Sequence, residues 1–348
     1  MHMADALISP AVGGTMLAVT AGVAAYSAKK VRTDMDERKV PLMGVMGAFV
    51  FAAQMINFSI PGTGSSGHLG GGLLLAILLG PYAGFLTMAS ILIIQALFFG
   101  DGGLLAWGCN VFNLGFYSCF IAYPLIYKIT VKHKISQGRI FWGALLAGII
   151  GLQLGSFSVV LETLFSGISE LPFKTFVLLM QPIHLAIGIV EGLVTAAVVS
   201  FVWRARPEII ENAGMAKPIG NLSIKRVLIG LSIIAIITSG ALSWFASAYP
   251  DGLEWSMFKT SGQEALEPKS PVHKTLAQIQ EKSAFLPDYN FKQAGPPETA
   301  TSGEEKKPSW PDINGGTSVA GLAGAALTLI LAGLIGLGLR LLFKKRTV

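Results

Sequence analysis

Residues 140–165 read IFWGALLAGIIGLQLGSFSVVLETLF, with Glu162 as the single ionisable side chain in the run. A helix rises 1.5 Å per residue, so about 20 mainly apolar residues cover a bilayer's hydrocarbon core. This stretch exceeds that length, and the run at 173–203 repeats the pattern. Working outward gives seven further candidates, at 11–28, 42–58, 69–80, 82–99, 104–127, 227–248 and 319–343. The expected fold class is therefore all-α, a polytopic membrane helical bundle of nine spans. The third span is the shortest, and would need small residues packed against neighbouring helices to cross.

Composition agrees. Of 348 residues, 52% are hydrophobic and 13% charged, against about 25% charged in soluble domains. That excludes a soluble enzyme or a nucleic-acid-binding domain as the main body. The net charge of +6 then reports orientation in a membrane. Cys109 and Cys119 both sit in apolar sequence, which excludes a disulfide framework and a thiolate zinc site. The first apolar run has Lys29 and Lys30 after it and no basic region before it. This is the wrong polarity for a cleaved signal peptide, so residue 1 is expected to be the mature N-terminus.

The arginines fall at Arg32 and Arg38, at Arg139, at Arg204, Arg206 and Arg226, and at Arg340 and Arg346. With nine spans these places share one side, which the positive-inside rule makes cytoplasmic. The N-terminus, residues 59–68, residues 100–103 and the loop 249–318 then face outward, and the C-terminus is cytoplasmic. The loop 249–318 has ten acids, seven lysines and no arginine, as suits a translocated segment. Residues 1–205 form a seven-span unit, 206–226 a polar cytoplasmic connector, and 227–348 a two-span module around that outer loop. That loop is rich in Pro, Gly, Ser, Lys and Glu, so it is expected to be largely extended or disordered, and its AGPPETATSGEEKKPSWPD stretch reads as a linker.

Chemistry starts at Met1-His2. A terminal amine, the His2 amide nitrogen and the His2 Nδ1 close a five-membered and a six-membered chelate ring, with three nitrogens near one plane. Planar nitrogen coordination suits Ni(II) or Cu(II), and binding must weaken in acid because metal displaces the amide proton. His68, in IPGTGSSGHLGGG (60–72), is the natural fourth ligand, since glycines allow the chain unusual dihedrals and close approach. Each histidine alone is as readily incidental. Both on one expected face, in a chain with five histidines, form a candidate site.

His184 and Glu191 are seven residues apart, on one helix face. They read either as a polar tie between helices or as support for the metal ligands. Asn57, Gln95, Gln54, Asn110, Asn113 and Gln153 are further embedded amides, some able to orient the N-terminal segment and others to bond helices. Among them Asn57 and Gln95 join His184 and Glu191 as candidate supports. His133 and His273 read as solvated. The methionines read as packing. No G-x-x-x-x-G-K-[ST] loop and no H-E-x-x-H motif is present. ATP hydrolysis is expected in a separate subunit, and no organic cofactor is expected.

The start MHMADALISP, the loop SGHLGGG, Gly80-Pro81-Tyr82-Ala83-Gly84 and the later PIHLAIGIVEGLVTA closely resemble the CbiM/NikM family. These are substrate-binding membrane components of energy-coupling-factor (ECF) transporters for cobalt and nickel. The resemblance covers residues 1–205. Residues 250–254, PDGLE, resemble the signature of the small CbiN/NikN subunit. The resemblance implies a fused M and N chain in a bacterial or archaeal plasma membrane. It implies Ni(II) or Co(II) as transported substrate, with Met1, His2 and His68 as ligands. Its implied partners are an EcfT-like coupling subunit (CbiQ/NikQ-like), a CbiO/NikO-like ATPase and the lipid bilayer, with no nucleic acid. It also implies that the N portion assists metal loading. The SGHLGGG form resembles the nickel branch. Two other readings stay open: an intramembrane enzyme using His184 and Glu191, and a cobalt-specific component for cobalamin synthesis.

Overall fold

The protein is described here as a computed structural model covering residues 2–34, 38–169, 171–215, 217–219, 223–262, 266, 270–292 and 310–344. Its described residues form twelve helices and one two-stranded hairpin, besides isolated 3-10 turns. In chain order these are α1 (Pro10–Asp34), α2 (Lys39–Gln54), β1 (Phe58–Ile60), β2 (Ser65–Gly67), α3 (Gly72–Leu79), α4 (Pro81–Phe99), α5 (Trp107–Val131), α6 (Gln137–Ser166), α7 (Phe173–Ala205), α8 (Pro207–Gly214), α9 (Lys225–Gly240), α10 (Gly252–Ser261), α11 (Pro271–Ser283) and α12 (Gly315–Lys344).

Six of these helices are long and apolar enough to cross a membrane: α1, α4, α5, α6, α7 and α12. The expected second and eighth spans are helices of 16 residues each, α2 and α9. The expected third span is different in kind. Only eight residues of it are helical, and all eight are buried. At 1.5 Å per residue α3 is about 12 Å long, well short of the hydrocarbon thickness. The rest of that stretch is irregular chain running from β2 into the bundle. Gly71 (φ 79°) and Gly80 (φ 84°) bound α3 in left-handed backbone that other residues resist. Because Gly80 turns the chain sharply, α3 and α4 pack side by side.

The tightest helix pairing is α6 on α7. Gly148, Gly188 and Gly192 let the two backbones meet: a Cβ on Gly192 would lie 2.5 Å from Leu145 Cα, and one on Gly188 2.8 Å from Ile149 Cα. Small residues drive helix association in lipid because close backbone approach maximises dispersion contact. Amides add to it. Gln153 Nε2 donates to Gln181 O at 2.8 Å, and Gln181 Nε2 to Ser156 Oγ at 3.0 Å.

The C-terminal helices α9 and α12 pack on α2. The segment expected to be an extended outer linker is in large part folded. Asp251 and Glu254 make a capping box that starts α10, and Ser270 with His273 starts α11. Each pairs a side-chain acceptor with orphan N–H groups of a first turn. Most of the Pro- and Glu-rich stretch that read as a linker lies outside the described residues.

Replacing Gly192 by Val should lower the thermal unfolding midpoint in detergent, because overpacking costs about 1–3 kcal/mol against a Leu145 backbone that cannot yield. Gly14→Val, on α1 where a Cβ meets nothing within 4 Å, should leave the midpoint nearly unchanged.

Candidate metal centre

The N-terminal segment is threaded into the bundle by its backbone. Met3 is fully buried. Its N–H donates to Asn110 Oδ1 at 2.7 Å, and its carbonyl accepts from Asn110 Nδ2 at 3.1 Å and from Gly103 N at 2.8 Å. One amide side chain thus pairs with both backbone polar groups of one residue, as a neighbouring strand would. Asn113, one helical turn further along α5, donates to Glu162 Oε2 at 2.7 Å and contacts Met3 Sδ at 3.8 Å. Asp5 Oδ1 accepts from Ala106 N at 2.9 Å. These bonds leave residue 2 at the mouth of the bundle.

The loop after the hairpin meets it there. Glu191, midway along α7, accepts from Gly70 N at 2.8 Å and from Gly71 N at 2.9 Å. Gln54 Nε2 donates to Gly70 O at 2.8 Å, and Gln54 Oε1 accepts from Gln95 Nε2 at 2.9 Å. Buried backbone must be paired or it costs stability, and these side chains supply the pairing that no ladder provides. His68, held between β2 and this anchor, stacks its ring on His2: centroids 4.9 Å apart, planes within 4°. Burial, the largest cause, pushes the His68 imidazole down to about 3. His68 is therefore neutral at physiological pH, the form that coordinates metal.

His2 Nδ1 lies 3.1 Å from Asp101 Oδ1, in the Gly-flanked turn between α4 and α5. Burial works to raise the Asp101 carboxyl, and the His2 imidazole and Tyr289 hydroxyl outweigh it, holding it below the usual carboxylate range. The Nε2 atoms of His2 and of His184 are buried, with no hydrogen-bond partner among the described residues. His184 Nδ1 is bonded to Met180 O at 2.8 Å. Its ring joins Gly67, His68, Asp251 and Gly252 around a cavity of about 10 Å³.

The PDGLE residues close this cavity from above. Ser66 N donates to Pro250 O at 2.8 Å, and Ser66 pairs with Asp251 in a parallel bridge. Gly252 is seated so closely that a Cβ there would lie 2.5 Å from Ile183 and 3.3 Å from His184.

Of the residues expected from sequence, His2 and His68 come together, and His184 lines the adjoining cavity. Glu191 and, through Gln54, Gln95 hold the loop. Asn57 stands further off, its carbonyl accepting from Ser247 N at 2.7 Å. Met1 lies outside the described residues. His133 is exposed. The solvated reading of His273 is overturned: it is buried, with Nε2 bonded to Ile8 O at 2.9 Å. Asp101, Asp251 and Tyr289 were not singled out. Asp101 had a signal, a lone acid in a short glycine turn expected on the same face as the N-terminus. Tyr289 had none, because nothing in the sequence brings residue 289 to residue 101.

Among the described residues no three His, Cys, Asp or Glu side chains cluster to hold a metal.

Glu191→Ala should strand two buried N–H donors at about 1–3 kcal/mol each, lowering the unfolding midpoint in detergent by several degrees. Glu191→Gln, which keeps one acceptor oxygen, should recover part of it.

A family model described as cobalt uptake substrate-specific transmembrane region matches residues 2–209, and a PDGLE domain matches residues 225–341. The putative fused nickel transport protein NikMN of Archaeoglobus fulgidus is 32% identical over 331 residues, 95% of this chain and 96% of its own. The fused nickel transport protein NikMN of Rhodobacter capsulatus is 31% identical over 225 residues, 60% of this chain and 64% of its own. A crystal structure of a truncated transition metal transporter superposes with a TM-score of 0.53 at 31% identity, over 59% of this chain and 99% of that one. The chain belongs to the CbiM family of transition-metal transport membrane components, with a PDGLE domain carried in the same polypeptide.

Proposed function

We propose that the chain is the substrate-capturing component of an ATP-driven ECF-type importer, taking Ni(II) in preference to Co(II) at an outward-facing site. The ligands are the Met1 amine, the His2 amide and Nδ1, and His68. The observation that carries this reading is the face-to-face pairing of His2 and His68, 66 residues apart in sequence, beneath Asp251 of the C-terminal module. A planar set of four nitrogens favours low-spin Ni(II), while Co(II) is admitted with less gain. The relatives named as nickel transport proteins support the same choice.

In this reading residues 1–205 form the capture unit, 206–226 the cytoplasmic connector and 227–348 the accessory module. The energy comes from a coupling subunit and an ATPase on the cytoplasmic side. Loading requires the His2 ring to leave Asp101, so that Nδ1 turns to the metal while His68 approaches edge-on. His184 supports His68 across the shared cavity. Glu191 fixes the loop: its oxygens are occupied by two backbone donors, which argues against its acting as a catalytic acid or base.

Titrating the purified full chain with Ni(II) should give one equivalent bound, with a d–d absorbance of planar nitrogen complexes. His68→Ala should lose that band. One residue added before Met1 moves His2 out of chelate register and should lower affinity at least tenfold, about 1.4 kcal/mol. Unchanged binding by the extended chain overturns the ligand set. Tighter binding of Co(II) than of Ni(II) keeps the site and changes the cargo.

A further inference from the structure

We infer that residues 270–290 of the C-terminal module are a clasp on the metal site, and that Tyr289 is a positioning residue for His2, acting through Asp101. The inference rests on the ligand set proposed above and adds to it a part that lies far away in sequence.

Three contacts define the clasp. At its start, His273 Nε2 donates to Ile8 O at 2.9 Å, pinning the end of the N-terminal segment. In its middle, Gln280 Nε2 donates to Ala96 O at 2.9 Å and to Gly102 O at 2.7 Å. One amide thereby bridges both sides of the turn that carries Asp101. Leu286 N adds a bond to Phe98 O at 3.3 Å, and the Phe285 ring packs 5.4 Å from that of Phe98. At its end, the Tyr289 hydroxyl donates to Asp101 Oδ2 at 2.5 Å, and Asp101 Oδ1 faces His2 Nδ1 at 3.1 Å.

Tyr289 is placed with care. Its ring stacks on Phe99 with centroids 4.9 Å apart and planes within 15°. Asp288 and Tyr289 have φ of 49° and 57°, left-handed backbone that residues other than glycine rarely adopt. Two such residues in succession persist only where surrounding contacts impose them, and such places concentrate at functional sites. Here the departure delivers one hydroxyl to one carboxylate oxygen.

The consequence is an orienting chain from Tyr289 to Asp101 to His2. Asp101 Oδ1 faces the same Nδ1 that the proposed ligand set gives to the metal, so it holds the His2 ring ready and competes with the metal for that nitrogen, and removing it should raise metal affinity. Tyr289 in turn occupies the second oxygen of that carboxylate, so Asp101 has one orientation rather than several.

The test is Ni(II) affinity and the rate of Ni(II) loss to excess EDTA, measured on the purified full chain for wild type, Tyr289→Phe, Asp101→Asn, the double variant and His68→Ala. Tyr289→Phe keeps the stack on Phe99, and its metal-free unfolding midpoint should match wild type. Its affinity should rise severalfold, with no faster loss to EDTA and an unshifted d–d band. Asp101→Asn should rise at least as far, and the double variant no further than Asp101→Asn alone, because the two act in series. Wild-type or weakened affinity in Tyr289→Phe, or gains that multiply in the double variant, overturn the clasp. If that happens while His68→Ala abolishes binding, the ligand set stands without it. If His68→Ala retains its metal, the ligand set itself fails and the clasp with it.

Discussion

A carboxylate in the middle of α7 accepts from two successive backbone N–H groups, and on that bond the geometry of the site depends. Residues 68–71 continue from β2 into the bundle as irregular chain. Such chain is tolerated at membrane depth only where the protein satisfies its polar groups. Glu191 binds Gly70 and Gly71, Gln54 binds the Gly70 carbonyl, and Gln95 holds Gln54. With the loop so fixed, His68 cannot withdraw toward the surface. The same logic governs the N-terminal segment, where Asn110 serves both backbone polar groups of Met3. Two pieces of non-helical backbone are thus stitched into a helical frame by amides and one acid, and their histidines meet between them.

Much of this was legible in the sequence. Long apolar runs such as 140–165 and 173–203 have one structural solution, and α6 and α7 follow it closely. The meeting of His2 and His68 was legible because chelate chemistry singles them out by residue type and position relative to the terminus; their role as ligands is the proposal made above. The embedded amides were legible as a class, since polar groups in a span must bond, but not their partners. The third span was misjudged in kind. Its hydropathy was sufficient, but Gly70 and Gly71 favour a turn where a helix would need Cβ-bearing residues, and the chain becomes helical only at Gly72. The linker between α9 and α12 was misjudged in extent. Its polar composition conceals two capping boxes, and its order comes from contacts with a distant part of the chain, which no local pattern encodes.

The C-terminal module is accordingly part of the site rather than an appendage. Pro250 and Asp251 extend the hairpin edge at Ser66, and Gly252 sits on Ile183 and His184 with no room for a side chain. Further on, α11 and the turn after it hold the N-terminal segment and the Asp101 turn. The His2–His68 pair is enclosed by both family modules, and on the proposed ligand set capture and release involve movement between them. Fusion into one polypeptide keeps the enclosing module at high local concentration, which favours its engagement without new contacts.

The central claim is that the cargo is held by nitrogen, two donors from the first peptide unit and two from imidazoles. X-ray absorption at the nickel edge of the loaded, purified chain tests it most directly. The account predicts four nitrogen donors at a single short distance, with the pre-edge feature of a square plane and imidazole scattering beyond it. A six-coordinate, oxygen-rich shell, or sulfur from Met3 or Cys109 in the first shell, would contradict it.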